Sequence, residues 1–518
     1  MAAASAAARL IGGVHLAPMV RCGTLPLRLL ALVHKADLVW SEELIAHRLA
    51  RTVRVQRRLP SGLVVTEFIE RDTGSVMFRT VPAEHSRVML QMGVPTPELA
   101  RAAGRLVARD VAGLEVNMGC PKPFSTLGNM GSALLEKPEL AAELVAALRE
   151  VAPPSVLVTA KIRLRADAAA TLHLVELLAA AGAAAVSVHL RTAGMRPNDM
   201  PLWQRACELV ASWPAAVPLI LNGDVWSCAD ARQLVHASQQ AERSEPLQHP
   251  VGWMLARPAL ARPHLFLPAA MGQLARLPWA SRSSPRPAGA SAACGTLVPS
   301  VFQTPGTAAP SAKPKHKRVP DEDAPAWMFP ASARLYVLLA AAVGEHPSNT
   351  KYTLNSFMRD RGEVASPAGQ ALTRAKSLKQ LAQALADIPT GSVAAAGRGW
   401  EWDTTVLEAV RLPAWSAVDV ASMTADAYVQ AVLAAADNAG VDATVVPDKA
   451  YNAAVAAAAA AHADTACRPP AEDASPARAG EKRRANSDME LPESGIKRAF
   501  PLPAARHCES IYAAWGEQ

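Results

Sequence analysis

Ala112-Gly113-Leu114-Glu115-Val116-Asn117-Met118-Gly119-Cys120-Pro121-Lys122 is the stretch that decides how this chain is read. Its first half is a short, mostly apolar run of the kind that forms a strand buried on both faces. Its second half is a Gly/Pro turn. The turn holds a lone cysteine at the C-terminal end of that strand, where a side chain faces a substrate rather than a core.

Working outward, one pattern recurs from about residue 14 to residue 266: a short apolar strand, a turn, then an Ala/Leu-rich helical stretch. The strand candidates are 14–19, 38–41, 88–92, 113–117, 156–162, 184–189, 218–222 and 252–256. Segments 138–151, 168–181 and 202–213 carry apolar residues at helical spacing. This repetition over about 250 residues predicts an α/β chain whose strands close into a (β/α)8 TIM barrel. An open doubly wound sheet is the alternative, and it lacks the expected GxGxxG after the first strand. Two β-prone runs, 63–68 and 75–80, flank Arg71-Asp72-Thr73-Gly74 and predict a hairpin inserted into the barrel.

The barrel is expected to span 12–267. Residues 268–325 form a Pro/Ala/Ser-rich basic stretch expected to be a disordered linker; Lys313-Pro314-Lys315-His316-Lys317-Arg318 within it fits a solvated charge cluster, an RNA contact or a nuclear-import signal. A small all-helical domain is expected at 326–390, with amphipathic spacing at 334–343, 352–361 and 378–386, Asn349 as a helix cap, and a break at Ser366-Pro367-Ala368-Gly369. Residues 391–463 are read as only partly helical, with candidates at 424–436 and 450–461. Residues 464–518 are expected to be a largely disordered tail, in which Lys482-Arg483-Arg484 and Lys497-Arg498 have bipartite nuclear-signal spacing.

The bulk properties narrow the function. The chain has 518 residues, a formal net charge of +7 and a pI near 9.1, which favours an anionic partner such as nucleic acid or reflects only a basic linker and tail. Its 7 cysteines are scattered without a CxxC, which argues against a disulfide framework or a zinc site and for a reducing compartment. No window reads as a transmembrane helix, and the alanine-rich first ten residues are too short for a signal peptide. The chain is expected in the cytoplasm, with nuclear entry open, and without a metal, a membrane or an obligate protein partner.

Polar groups close every expected strand: Met19 and Arg21, Glu42 and Glu43, Gln91, Asn117 and Cys120, Lys161 and Arg163, His189 and Arg191, Asn222 and Asp224, and Arg257. Active sites of (β/α)8 barrels lie at these ends. The set suits a flavin better than a nicotinamide. Lys161 can place a cation beside the ring, Gln91 can meet its pyrimidine edge, and Gly223 with Arg257 can receive a phosphate after the seventh and eighth strands. His189 can donate to the ring or the phosphate. Whether Cys120 serves as a thiol acid or, with a lowered pKa, as a nucleophile is left open by the sequence.

The combination of Ala17-Pro18-Met19, Gln91-Met92-Gly93, Asn117-Met118-Gly119-Cys120-Pro121, Lys161-Ile162-Arg163, Val188-His189 with Arg191, Asn222-Gly223-Asp224 and Ala256-Arg257 resembles the flavin-dependent tRNA-dihydrouridine synthases. Segments 16–32 and 36–45, and Ser348-Asn349-Thr350-Lys351-Tyr352 with Ser366-Pro367, are similar to the eukaryotic subgroup acting on uridine 20 of the D-loop. The resemblance implies that Pro18, Met19, Glu43, Gln91, Lys161, His189, Asn222, Gly223, Asp224, Ala256 and Arg257 hold FMN, and that NADPH reduces it. It implies a flipped-out uridine that takes hydride at C6 and a proton from Cys120 at C5. Asn117 would place the base, and Arg163, Arg191 and Lys351 would contact the tRNA. Ala256 stands where bacterial relatives have glycine. The double-stranded-RNA-binding module of animal members has no legible counterpart after residue 390. The rival readings are a flavin reductase of a free pyrimidine and a non-enzymatic RNA-binding protein on a retained barrel.

Overall fold

The computed structural model describes residues 2–214, 217–232, 250–268, 270, 324–388 and 400–445. Its strands are β1 (Val14–Leu16), β2 (Val39–Trp40), β3 (Leu44–Ile45), β4 (Thr52–Arg58), β5 (Val64–Glu70), β6 (Val76–Thr80), β7 (Val88–Gly93), β8 (Gly113–Met118), β9 (Leu157–Leu164), β10 (Val186–Thr192), β11 (Leu219–Asn222) and β12 (Gly252–Leu255). Eight of them pair in parallel in the ring β1-β2-β7-β8-β9-β10-β11-β12 and back to β1. The barrel is therefore closed, and the open-sheet alternative is excluded. Every residue of β7 and β8 is buried, because interior side chains fill one face and helices cover the other. All eight expected strands are present, with ends shifted by a few residues.

Two parts of the barrel were not legible as elements. Ala2–Leu10 is a helix that stops the N-terminal end of the barrel, where Ala6 and Leu10 cluster with Leu38, Met89, Ala112, Ala185, Ile220 and Met254. The inserted hairpin is a three-stranded antiparallel sheet, β4-β5-β6. In β4, Val53 and Val55 pack on Ile69, while Arg54 and Arg57 pair with Asp110 and Glu67. The insertion is anchored by buried Arg28, which donates to both oxygens of Glu84 at 2.9 and 2.7 Å and to the carbonyls of Gly23 and Arg79, both at 2.7 Å.

The helix Met328–Ala342 is buried along its whole length. It lies against the barrel helix Leu25–Val33 and against Leu378–Ala386, Ala417–Ser422 and Ala425–Asn438. Arg334 ties this bundle together, its guanidinium donating to the carbonyls of Ala386, Val420, Ala421 and Met423. The expected helix at 424–436 is Ala425–Asn438, capped by Thr424. Asn349 is not a cap. The helix begins earlier, at Pro347, and the His346 side chain accepts from the Ser348 amide, so Asn349 lies inside the first turn and donates to Glu345 at 2.8 Å. Ser366 caps Pro367–Arg374, so the expected break is a helix start. The candidate at 450–461, most of the linker, both basic runs and the tail lie outside the described residues. No described helix is long and apolar enough to cross a membrane.

Candidate active site

Strand register gathers the polar residues at one mouth. Gln91 stands opposite Glu115, Asn117 opposite Lys161, and His189 between Arg163 and Asn222. Period-two alternation turns residues 115 and 117, 159, 161 and 163, and 187, 189 and 191 toward the same interior.

Cys120 is held in a turn that the sequence builds from several sides. Asn117 Oδ1 accepts from the amides of Gly119 and Cys120 at 2.9 and 3.0 Å, and Asn117 Nδ2 donates to Gln91 Oε1 at 3.1 Å. Arg163 Nε donates to the Gly119 carbonyl at 2.7 Å. On the far side the Ser132 amide donates to the Cys120 carbonyl at 2.9 Å. Gly131 permits that return: its φ is +59°, and a Cβ there would lie 2.4 Å from Ser125 Oγ and 2.5 Å from the Cys120 carbonyl.

Glu43 sits beneath this turn. Its Oε1 accepts from Ser125 Oγ at 3.3 Å, and its carboxylate lies close enough for its charge to act on the Cys120 thiol. Gly93 makes the room, since a Cβ there would come within 2.6 Å of Glu43 Oε1. Burial, then the negative charge of Glu43, pushes the thiol up to about 12. Burial likewise raises Glu43. This environment favours the protonated thiol, the form able to donate, at neutral pH.

The opposite side of the mouth is cationic. Gly223 has φ +139° and Asp224 φ +52°, a turn that an L side chain at 223 would strain. Asp224 forms ion pairs with both Arg191 and Arg257. Arg191 also donates to the carbonyls of Asp199 (2.8 Å) and Pro197 (3.2 Å) and lies 3.1 Å from His189 Nε2. Burial, followed by the charges of Lys161, Arg163, Arg191 and Arg257, holds His189 well below its usual value, so it is neutral. Its Nε2 then accepts from Arg191 and its proton lies on Nδ1. Asn222 Nδ2 donates to the Met254 carbonyl at 2.7 Å. Half-buried Lys161 is lowered to about 8, burial outweighing the attraction of Glu115. Pro18, Met19 and Ala256 are half-buried at the rim of the first and last strands.

A dihydrouridine synthase (Dus) family profile matches residues 15–273. The chain belongs to that family. It is an oxidoreductase. Among curated relatives, it is 38% identical over 225 residues to the tRNA-dihydrouridine(20) synthase of Schizosaccharomyces pombe, covering 43% of this chain and 47% of that one. It is 31% identical over 356 residues to the tRNA-dihydrouridine(20) synthase of Saccharomyces cerevisiae, covering 67% of this chain and 77% of that one. It is 30% identical over 254 residues to a tRNA-dihydrouridine(20a/20b) synthase of Schizosaccharomyces pombe, covering 49% and 68%.

Several of the expected site residues also bind neighbouring parts of the chain. Arg163 and Arg191, expected at the RNA, turn inward. Arg163 is spent on the carbonyls of Gly119, Thr192 and Met195, and Arg191 on the 197–199 loop and Asp224. These bonds fix the loops around the mouth. Glu43, expected at the cofactor, lies on the Cys120 turn. Asn117, expected at the base, holds that same turn. Asp224 anchors two arginines. Lys351 is half-buried on Pro347–Arg361, a helix tied to the mouth by Arg21 stacked over the Tyr352 ring at 4.1 Å, by Cys22 Sγ to Ser356 Oγ at 3.7 Å and by Arg361 Nη1 to the Ala261 carbonyl at 3.0 Å.

The sequence reading missed Glu115, Ser125 and Gly131. Glu115 carried a readable signal: a carboxylate inside a buried run, two residues before Asn117 and so on its face. The donor set fits a flavin phosphate: a glycine without Cβ at the seventh-strand turn, Arg257 beside it, neutral His189, and Lys161 toward the barrel axis. Among the described residues no cluster of His, Cys, Asp and Glu could hold a metal ion.

Proposed function

We propose that this enzyme reduces the C5=C6 bond of a uridine in the tRNA D-loop, at position 20, with FMN as its resident flavin and NADPH as reductant. The protonated Cys120 beside Glu43 carries the proposal, because a hydride acceptor of this kind needs a fixed acid at its other carbon. The position rests on the names of the two yeast relatives and not on a feature of the site.

Gly223, Arg257 and His189 would hold the flavin phosphate, and Lys161 and Gln91 its ring. The bound flavin would supply hydride to C6. The remaining work belongs to the chain. The uridine must leave its stack to enter the barrel mouth. The Asn117–Arg163 bracket fixes the turn that presents Cys120, whose Sγ–H gives its proton to C5. The thiolate left behind faces the Glu43 carboxylate and regains a proton from water, so the net change is one hydride and one proton added across the double bond. Helix Pro347–Arg361, with Lys351 and the stacked Arg21–Tyr352 pair, would guide the tRNA to the opening.

The test is to supply purified full-length protein and NADPH with tRNA lacking dihydrouridine, or with free uridine or orotate. The reading requires dihydrouridine from the tRNA alone. Turnover of a free pyrimidine, or none by a protein without flavin, would reject it.

A further inference from the structure

The hydrogen bonds below the mouth form one directed chain, and its direction starts at a residue no functional assignment includes. Glu115 is fully buried in β8. Its Oε1 accepts from Gln91 Nε2 at 2.8 Å, and its Oε2 accepts from Thr159 Oγ1 at 3.2 Å. The NH2 end of Gln91 faces the carboxylate, which in its ionised form only accepts. Gln91 Oε1 then faces the other way and takes Asn117 Nδ2 at 3.1 Å. This in turn leaves Asn117 Oδ1 facing the amides of Gly119 and Cys120 at 2.9 and 3.0 Å. Turning either amide over would set donor against donor in a buried place. Gln91, Glu115 and Thr159 are register partners on β7, β8 and β9, so the chain spans three adjacent strands.

We propose that Glu115 is a positioning residue that orients the amides of Gln91 and Asn117 and, through Asn117, the turn that presents Cys120. The inference deepens the reading of Cys120 as the acid and rests on it. Burial raises Glu115 to about 7, and the nearby Lys161 cation opposes that rise and favours the ionised, acceptor-only form. Neutral glutamine at 115 can present either end, and the direction of the chain is lost.

The test uses full-length Glu115→Gln and the exchange Gln91→Glu with Glu115→Gln. In the exchange, the new carboxylate at 91 can accept from both the amide at 115 and Asn117, which restores the direction of Asn117. Labelling of Cys120 by iodoacetamide is followed by mass spectrometry of its peptide at fixed pH, without added flavin or tRNA. The expected result is that Glu115→Gln labels ~10-fold faster, as a thiol released from its held position moves toward ordinary acidity, and that the exchange returns to the wild-type rate. Wild-type labelling in Glu115→Gln overturns the proposal. So does acceleration that persists in the exchange, because charge or packing and not direction would then be at work. If Glu115→Gln does not fold, the exchange alone decides by the same criterion. Wild-type protein that forms no dihydrouridine would reject the functional reading and leave the labelling result to stand separately.

Discussion

The most exposed consequence of the site is the acidity of Cys120. A thiol that ionises at about 12 is about one part in ten thousand thiolate at pH 8, against roughly a quarter for an ordinary thiol. Taken alone, that slows thiolate chemistry by on the order of 10³-fold. The rarer thiolate is also more nucleophilic, with a Brønsted coefficient of about 0.4–0.5 in disulfide exchange, which returns a factor of roughly 30. Cys120 is therefore expected to react with a small dialkyl disulfide ~100-fold more slowly than a model thiol at pH 8. The rate should keep rising with pH past 10, because the group gains reactivity only as pH approaches its raised value. Glu43→Gln removes the negative neighbour and should move the profile to lower pH, by about one unit for a like charge at this range. A rate that levels off below pH 9, or a profile unmoved by Glu43→Gln, would refute the reasoning.

Three further outcomes follow from other parts of the molecule. Gly223→Ala forces a side chain onto a φ of +139°, with its Cβ near Leu190 and His189, and should yield protein with little bound flavin by absorbance; full flavin content would contradict the phosphate assignment. Lys161, lowered to about 8, is charged below that pH and neutral above it. Flavin affinity, read by quenching of flavin fluorescence, should thus fall as pH rises through about 8, and Lys161→Met should be weak at every pH. Glu84→Ala strands the buried Arg28 guanidinium and should cost about 3–5 kcal/mol in denaturant unfolding, with a shift too small to measure counting against the anchor.

The parts of the fold written in apolar runs were legible. The strands buried on both faces announce themselves, and the Gly/Pro turns after 117 and 222 mark where chemistry stands. Strand β4 hid because arginines break up its valines; Arg54 is answered by Asp110 and Arg57 by Glu67 on the neighbouring strand. The helix over residues 2–10 hid because alanine spacing carries no face until the barrel floor supplies one. Asn349 misled because the pre-helical His346 does the capping. The site shows the same division. Which residues gather at the mouth follows from period-two alternation, but which way a guanidinium or an amide turns depends on partners on other strands. Arg163 and Arg191 thus bracket loops at the mouth, and Glu43 lies on the cysteine turn, contacts that a one-dimensional reading does not show.

The central claim is that Cys120 completes the reduction of a tRNA uridine by donating a proton. The measurement that tests it most directly is position-resolved mapping of dihydrouridine in tRNA that lacks it, after incubation with NADPH and either wild-type protein or Cys120→Ala. The account predicts dihydrouridine at position 20 with the wild type, and strong loss with Cys120→Ala while flavin content and NADPH-driven flavin reduction persist. Equal product from Cys120→Ala would contradict it.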